Sequence, residues 1–149
     1  MGEIPTEDGV YLFEPGRGWL KLATLLTPSS LKNGISMIYF KNNWCVPCRV
    51  LDLKMPDIIR LYSCKASLYV VTCKWFTSLC LDTVARRAFQ AFKVTDSPTL
   101  WWAVVSGGRI VKEVRIAGVP SIAELRKYVS DNLGIRPCRA SSRSQAHES

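Results

Sequence analysis

An α/β protein with a mixed central sheet and helices on both faces is the fold class this sequence predicts. Three observations lead there. Strand-like and helix-like segments alternate through the first two thirds of the chain. Two of the strand candidates, 36–40 and 67–73, read as buried, and the second is a continuous, β-branched run of the kind found in strands covered on both faces. A Gly-Gly turn then joins two further strands ahead of a closing amphipathic helix, so an alternating parallel start gives way to an antiparallel end.

Residues 1–9 read as a loose leader. Val10-Tyr11-Leu12-Phe13 is a short strand, and Glu14-Pro15-Gly16-Arg17-Gly18 is a turn cluster. Trp19 to Leu26 is apolar, and periodicity alone leaves open whether it returns as a strand or begins a helix. Thr27-Pro28-Ser29-Ser30 suits a helix start, with Gly34 ending that short helix. After the strand at 36–40, a helix is expected from Cys45 to about Ser63. Val50, Leu51, Leu53, Met55, Ile58, Ile59 and Tyr62 form its apolar side, and a kink is expected at Pro56. Beyond the strand at 67–73, Ser78 is placed to cap a helix reaching Phe92, with Leu81, Ala85, Phe89 and Phe92 on one face and an Asp82–Arg86 pair in support. Ser97-Pro98-Thr99 opens the strand 100–105. Ser106-Gly107-Gly108-Arg109 is a tight hairpin turn, and 110–116 is the partner strand. Ser121-Ile122-Ala123-Glu124 is a capping box for a last helix that packs Ile122, Leu125, Tyr128, Val129 and Leu133 and stops at Gly134. The expected organisation is an N-terminal extension at 1–23 patterned as a β-hairpin, a domain at 24–134, and a polar, flexible tail at 135–149.

The chemistry of the chain concentrates in Trp44-Cys45-Val46-Pro47-Cys48-Arg49. Cys45 stands where a strand hands over to a helix, beside unpaired backbone N–H groups and the positive end of the helix dipole. Negative charge is stabilised there. A free thiol titrates near about 8.5, and such placements lower that to roughly 3.5–7.5. Cys48 lies one helical turn on, close enough to close a ring, so the pair is a candidate dithiol/disulfide couple. Zinc is the rival use of a C-x-x-C. It takes four ligands, commonly in two clusters, yet Cys64, Cys73, Cys80 and Cys138 form no second C-x-x-C and the one histidine, His147, is in the tail. A loop this tight is also a poor structural staple, because it removes little entropy from the unfolded chain.

Length and composition narrow the setting. The chain has 149 residues, 48% of them hydrophobic, enough for one domain with a real core. The formal charge is +8, but the basic residues are scattered, with Arg86-Arg87 and Arg126-Lys127 the only adjacent pairs, so a solvated basic surface is expected rather than a nucleic-acid site. The residues from Met1 to Asp8 lack a basic region followed by an apolar one, and no apolar run approaches a membrane span. A cytoplasmic protein without a membrane partner is expected. Six cysteines are many for that compartment, where structural disulfides are rare outside hyperthermophiles. Trp19, Trp75, Trp101 and Trp102 are read as packing residues, and Arg49 as a surface charge able to help a neighbouring thiolate.

The chain resembles the thioredoxin-like family over roughly 24–134. The residues that carry the resemblance are Phe40, Trp44-Cys45-Val46-Pro47-Cys48, Ser97-Pro98-Thr99-Leu100, Gly107-Gly108, Gly118 and the closing helix. The resemblance implies a thioredoxin fold and a protein thiol–disulfide oxidoreductase. Cys45 would be the nucleophile with an exposed sulfur, and Cys48 the more buried resolving thiol. Trp44, Pro47, Ser97 and Pro98 would contact substrate, with Pro98 at the position of the family's cis-proline. A cis bond is tolerated cheaply only before proline. No bound cofactor is implied beyond the Cys45–Cys48 disulfide itself, and no metal. The expected partners are disulfide-containing proteins and a reductase or small thiol as electron donor, acting on a monomer.

The sequence also departs from the family. Six residues before the first cysteine, thioredoxins usually carry a buried aspartate, and here Tyr39 stands there. A phenol stays protonated at neutral pH, so Tyr39 is not an equivalent proton acceptor for Cys48, and slower turnover or a different proton path follows. Val46-Pro47 replaces the usual Gly-Pro, and Pro56 lies three residues later than the family's kink proline. The topology implied by the resemblance brings Cys73 toward Cys80 at the active-site edge and Cys64 toward Cys138 at the far edge. Two disulfides or free thiols both remain open for these four. Two other functions stay in view: a redox-inactive module that binds peptides in the Pro98 groove, and a metal-binding protein using Cys45 and Cys48 with Cys73 or Cys80.

Overall fold

The structure, a computed structural model, describes residues 3–139. The tail expected from 135 onward is therefore seen only to 139, and His147 lies outside the described residues. The chain forms β1 (Gly9–Glu14), β2 (Gly18–Lys21), a single 3₁₀ turn (Pro28–Ser30), β3 (Gly34–Asn42), α1 (Val46–Tyr62), β4 (Ala66–Cys73), α2 (Thr83–Ala91), β5 (Thr99–Ser106), β6 (Arg109–Ala117) and α3 (Ile122–Leu133). The sheet order is β2-β1-β4-β3-β5-β6. Only β3 and β4 run parallel, and every other pairing is antiparallel.

The period of two in the strands divides the core between the faces. Ile38, Phe40, Val71, Trp101 and Ala103 point to the side covered by α2, where Phe40 meets Phe89 and Phe92 with ring centroids 5.4 Å apart in each pair. Met37, Tyr39, Val70, Leu100 and Trp102 point to the other side, covered by α1 and α3. Helices on both faces follow from strands that carry apolar side chains on both faces. The N-terminal segment, read as an extension, is a hairpin whose first strand pairs with β4, Val10 opposite Val71. Val10 joins one core, and Tyr11 and Phe13 join the other.

The ambiguous stretch after Gly18 resolves as β2 for four residues. The short helix expected after Thr27 is only the 3₁₀ turn. Thr27 and Ser30 satisfy each other's backbone groups there, and Leu31 leaves in extended geometry. The helix expected from Ser78 begins at Thr83 instead. Residues 74–80 are held as a loop by the paired amide and carbonyl groups of Trp75 and Leu79, while Asp82, rather than Ser78, caps α2 by accepting from Ala85 N at 2.8 Å. Leu81 thereby falls outside the helix and is exposed. In α1 the buried face is Cys48, Leu51, Met55, Ile58, Ile59 and Tyr62. Val50 and Leu53, expected among them, face solvent, and the helix continues through Pro56 on its exposed side. Gly107 and Gly108 both have positive φ, 60° and 74°, as a two-residue hairpin turn requires. The capping box of α3 forms as expected, but Tyr128 stays exposed.

Candidate active site

The parallel strands β3 and β4 end side by side at Asn42 and Cys73, and the chain turns there into α1. The turn is tied to the neighbouring strand by Asn43 N, which donates to Cys73 O at 3.0 Å, and by Trp44 N, which donates to Lys74 O at 3.3 Å. Cys45 follows as the N-cap of α1 in extended geometry, and its sulfur accepts from Cys48 N at 3.2 Å. Pro47 sits in the first turn, where the missing N–H costs nothing because no helical acceptor exists for it. Cys45 and Cys48 are joined in a disulfide with Cα atoms 5.2 Å apart. On reduction, a Cys45 thiolate would keep the Cys48 N–H and the positive end of a 17-residue helix.

Exposure differs from the expectation for Cys45. It is only 6% exposed, against 1% for Cys48, so the order of the two is as expected but the first cysteine is not open. The cover comes partly from the loop before β5: Ser97 O lies 3.5 Å from Cys45 Sγ. The Ser97–Pro98 bond is cis. Pro98 is buried and Ser97 half-buried, while Trp44, Val46 and Pro47 stand exposed around the sulfur pair. The six residues expected at the site are thus gathered at one end of the sheet.

The remaining cysteines are paired as well. Cys73 is bonded to Cys80, with Cα atoms 4.8 Å apart, across the loop that carries Trp75 and Phe76. Cys64 is bonded to Cys138, with Cα atoms 5.9 Å apart, at the opposite end of α1. With every cysteine paired, Cys73 and Cys80 are committed to each other, and no cluster of three or more metal-ligating side chains occurs among the described residues.

Three polar residues belong to the site that the sequence reading passed over. Asn42, 1% exposed, donates from Nδ2 to Ser97 Oγ at 2.8 Å and accepts the Phe76 amide on Oδ1 at 2.6 Å. Lys41, 2% exposed, places its ammonium 2.9 Å from Asp52 Oδ2 and 3.0 Å from Pro5 O. Asp52 also meets Tyr39, whose hydroxyl lies 2.8 Å from Asp52 Oδ1 and 2.9 Å from Cys48 O. Burial first, then the Asp52 charge, pushes the Tyr39 phenol far above its ordinary range, so it stays protonated. The spacing held a usable signal. Tyr39 and Lys41 share a strand face by the period of two, and Asp52 is four residues past Cys48 on α1.

No family model and no curated protein matches this sequence. Solved structures do match in shape. A thioredoxin from Aeropyrum pernix superposes with a TM-score of 0.53 at 18% identity, covering 84% of this chain and 94% of its own. A thioredoxin from Trichomonas vaginalis gives a TM-score of 0.50 at 20% identity, covering 66% of this chain and 78% of its own. The chain has the thioredoxin fold. At these identities the likeness is one of architecture, and within the thioredoxin fold the residues of this chain carry the argument about chemistry. Tyr39, Lys41 and Asp52 are the polar set this version of the fold places under its cysteine pair.

Proposed function

We propose that this protein is a thiol–disulfide oxidoreductase that reduces disulfides in other proteins through Cys45 and Cys48. The observation that carries the reading is the Cys45–Cys48 disulfide at the N-terminus of α1, with the Ser97 carbonyl 3.5 Å from Cys45 Sγ. In the dithiol form, Cys45 is the thiolate at the helix start and attacks one sulfur of a substrate disulfide. The other substrate sulfur leaves with the electron pair, and a mixed disulfide remains on Cys45. Cys48, one turn on and more deeply buried, then attacks Cys45 Sγ and releases the second substrate sulfur. Two electrons pass from the protein to the substrate. A reductase or a small thiol returns them, and no further cofactor takes part. The exposed Trp44, Val46 and Pro47 and the half-buried Ser97 form the surface on which the substrate chain rests, and one copy of the chain suffices.

The Cys64–Cys138 and Cys73–Cys80 bonds bear on location. They persist only where the thiol poise leaves structural disulfides oxidised, so a cytoplasmic home fits a cell whose intracellular proteins keep disulfides.

Reduction of insulin by dithiothreitol, followed as precipitation of the freed chain, tests the function. The wild type should shorten the lag, and Cys45→Ser should not. Full activity in Cys45→Ser would refute the assignment. An inactive wild type would favour a fold that kept its groove for binding peptides without redox chemistry.

A further inference from the structure

We propose that Asp52 accepts the proton of Cys48 when that thiol resolves the mixed disulfide, with Lys41 and Tyr39 as its positioning residues. The proposal deepens the oxidoreductase reading and rests on it.

Cys48 is 1% exposed, so its sulfur has little direct contact with bulk water. Asp52 is its i+4 neighbour on α1, and such positions lie about 5–6 Å apart at Cβ. Both line one cleft of about 340 Å³, and the Asp52 side chain is 23% exposed, so the acceptor can exchange with solvent between turnovers.

Proton counting at Tyr39 sharpens the assignment. Its hydroxyl carries one proton but touches two acceptors, Cys48 O at 2.9 Å and Asp52 Oδ1 at 2.8 Å. With Asp52 ionised, that single proton must serve both. With Asp52 protonated, its O–H donates to the phenol oxygen while the phenol donates to Cys48 O, and each contact has its own proton. Lys41 serves the other state: its buried ammonium lies 2.9 Å from Oδ2 and pairs with the ionised carboxylate. Asp52 therefore has a hydrogen-bond partner suited to each of its states, as a transient proton acceptor needs.

The charged and titratable groups around Asp52 are Tyr39 and Lys41 from β3, Cys48 and Arg49 from its own helix, and Lys74 from the loop after β4. Lys41, Arg49 and Lys74 are cations, which favour a thiolate but accept no proton, and Tyr39 is held protonated. Asp52 is left as the acceptor. In the step, the Cys48 S–H proton moves to the Asp52 carboxylate and the thiolate attacks Cys45 Sγ. The Cys45–Cys48 bond forms and the Cys45–substrate bond breaks. The substrate sulfur leaves as a thiolate and takes up a proton from Asp52 or water.

Single-turnover reaction of the pre-reduced protein with dithiobis(nitrobenzoate) separates the two half-steps. The first coloured thiolate reports Cys45 attack, and the second reports resolution by Cys48. For Asp52→Asn the first phase should stay within about twofold of wild type. The second should slow about tenfold or more near neutral pH and recover toward wild type as pH passes the ordinary thiol range near about 8.5. A second phase with the wild-type rate and pH profile would overturn the proposal. Should Asn at this position disturb the first phase too, Asp52→Glu decides: a displaced pH midpoint for the second phase supports the role, and an unchanged profile overturns it. A wild type with no second phase at all would instead remove the oxidoreductase reading beneath it.

Discussion

Asn42 and Ser97 join the end of β3 to the loop before β5 by a half-buried hydrogen bond, Nδ2 to Oγ at 2.8 Å. The other end of the same amide accepts the Phe76 N–H, where the backbone takes a left-handed φ of 47°. One side chain thus holds both walls beside Cys45. Asn42→Ala would leave the half-buried Phe76 amide without its acceptor, a loss of about 1 kcal/mol. Because Ser97 lies in the proposed substrate groove, KM for a protein disulfide should rise several-fold, while the rate of Cys45 alkylation in the reduced protein stays near wild type. Unchanged KM would free Asn42 of any part in the groove.

Cys48→Ser removes the resolving sulfur and leaves Cys45 at the helix start. Reaction with a disulfide should then stop at the mixed disulfide, and intact mass should show one stoichiometric adduct, mapping to Cys45 and released by dithiothreitol. An adduct on any other residue would reassign the nucleophile.

The two outlying disulfides should differ in what they stabilise. Cys64–Cys138 closes a sequence separation of 74 and Cys73–Cys80 one of 7. The chain-entropy model gives about 4.5 kcal/mol for the first and about 2.5 kcal/mol for the second. Urea unfolding should therefore cost Cys64→Ser/Cys138→Ser more than Cys73→Ser/Cys80→Ser. Activity should rank the other way. The 73–80 loop holds Trp44 N through Lys74 O and Asn42 through Phe76 N, whereas the far clip only ties Cys138 N to Leu61 O and Cys64 N to Cys138 Sγ. Equal activity in both double variants would show that the loop does not shape the site.

Much of this site could be read before any coordinates because its signals are local. A cysteine ahead of a helix, a proline in the first turn and a Ser-Pro-Thr before a strand each act over a few residues. What escaped is long-range or competitive. Ser78 is a fair cap by type, but the loop fixed by Trp75 and Leu79 occupies its surroundings and Asp82 takes the role. Val50 and Leu53 match a helical apolar stripe, yet the sheet covers only the arc from Cys48 through Tyr62. Spacing places Lys41 on the Tyr39 face and Asp52 one turn past Cys48, but the partners of Asn42, Lys41 and Asp52 are fixed only where β3, α1 and the Ser97 loop meet. A lone lysine in a strand signals an exposed face until a carboxylate is found opposite it.

The same long-range placement makes Tyr39 a handle on alkaline stability. Its phenol is fully buried, and burial raises its titration well above the ordinary value near 10. The sign follows from proton counting. As pH climbs past about 10, the unfolded chain releases the Tyr39 proton while the folded protein keeps it, so the unfolded state binds fewer protons and stability falls with pH. Tyr11, Tyr62 and Tyr69 are raised in the same direction, chiefly by burial, and add to the fall. Tyr39→Phe should cost about 1–3 kcal/mol near neutral pH, because Cys48 O and Asp52 lose a hydrogen-bond donor. Phenylalanine cannot ionise, so that cost should shrink by up to about 1.4 kcal/mol for each pH unit above about 10. Urea unfolding of wild type and variant from neutral to alkaline pH measures it. Parallel stability curves across that range would mean that the Tyr39 phenol ionises as readily in the folded protein as in the unfolded one.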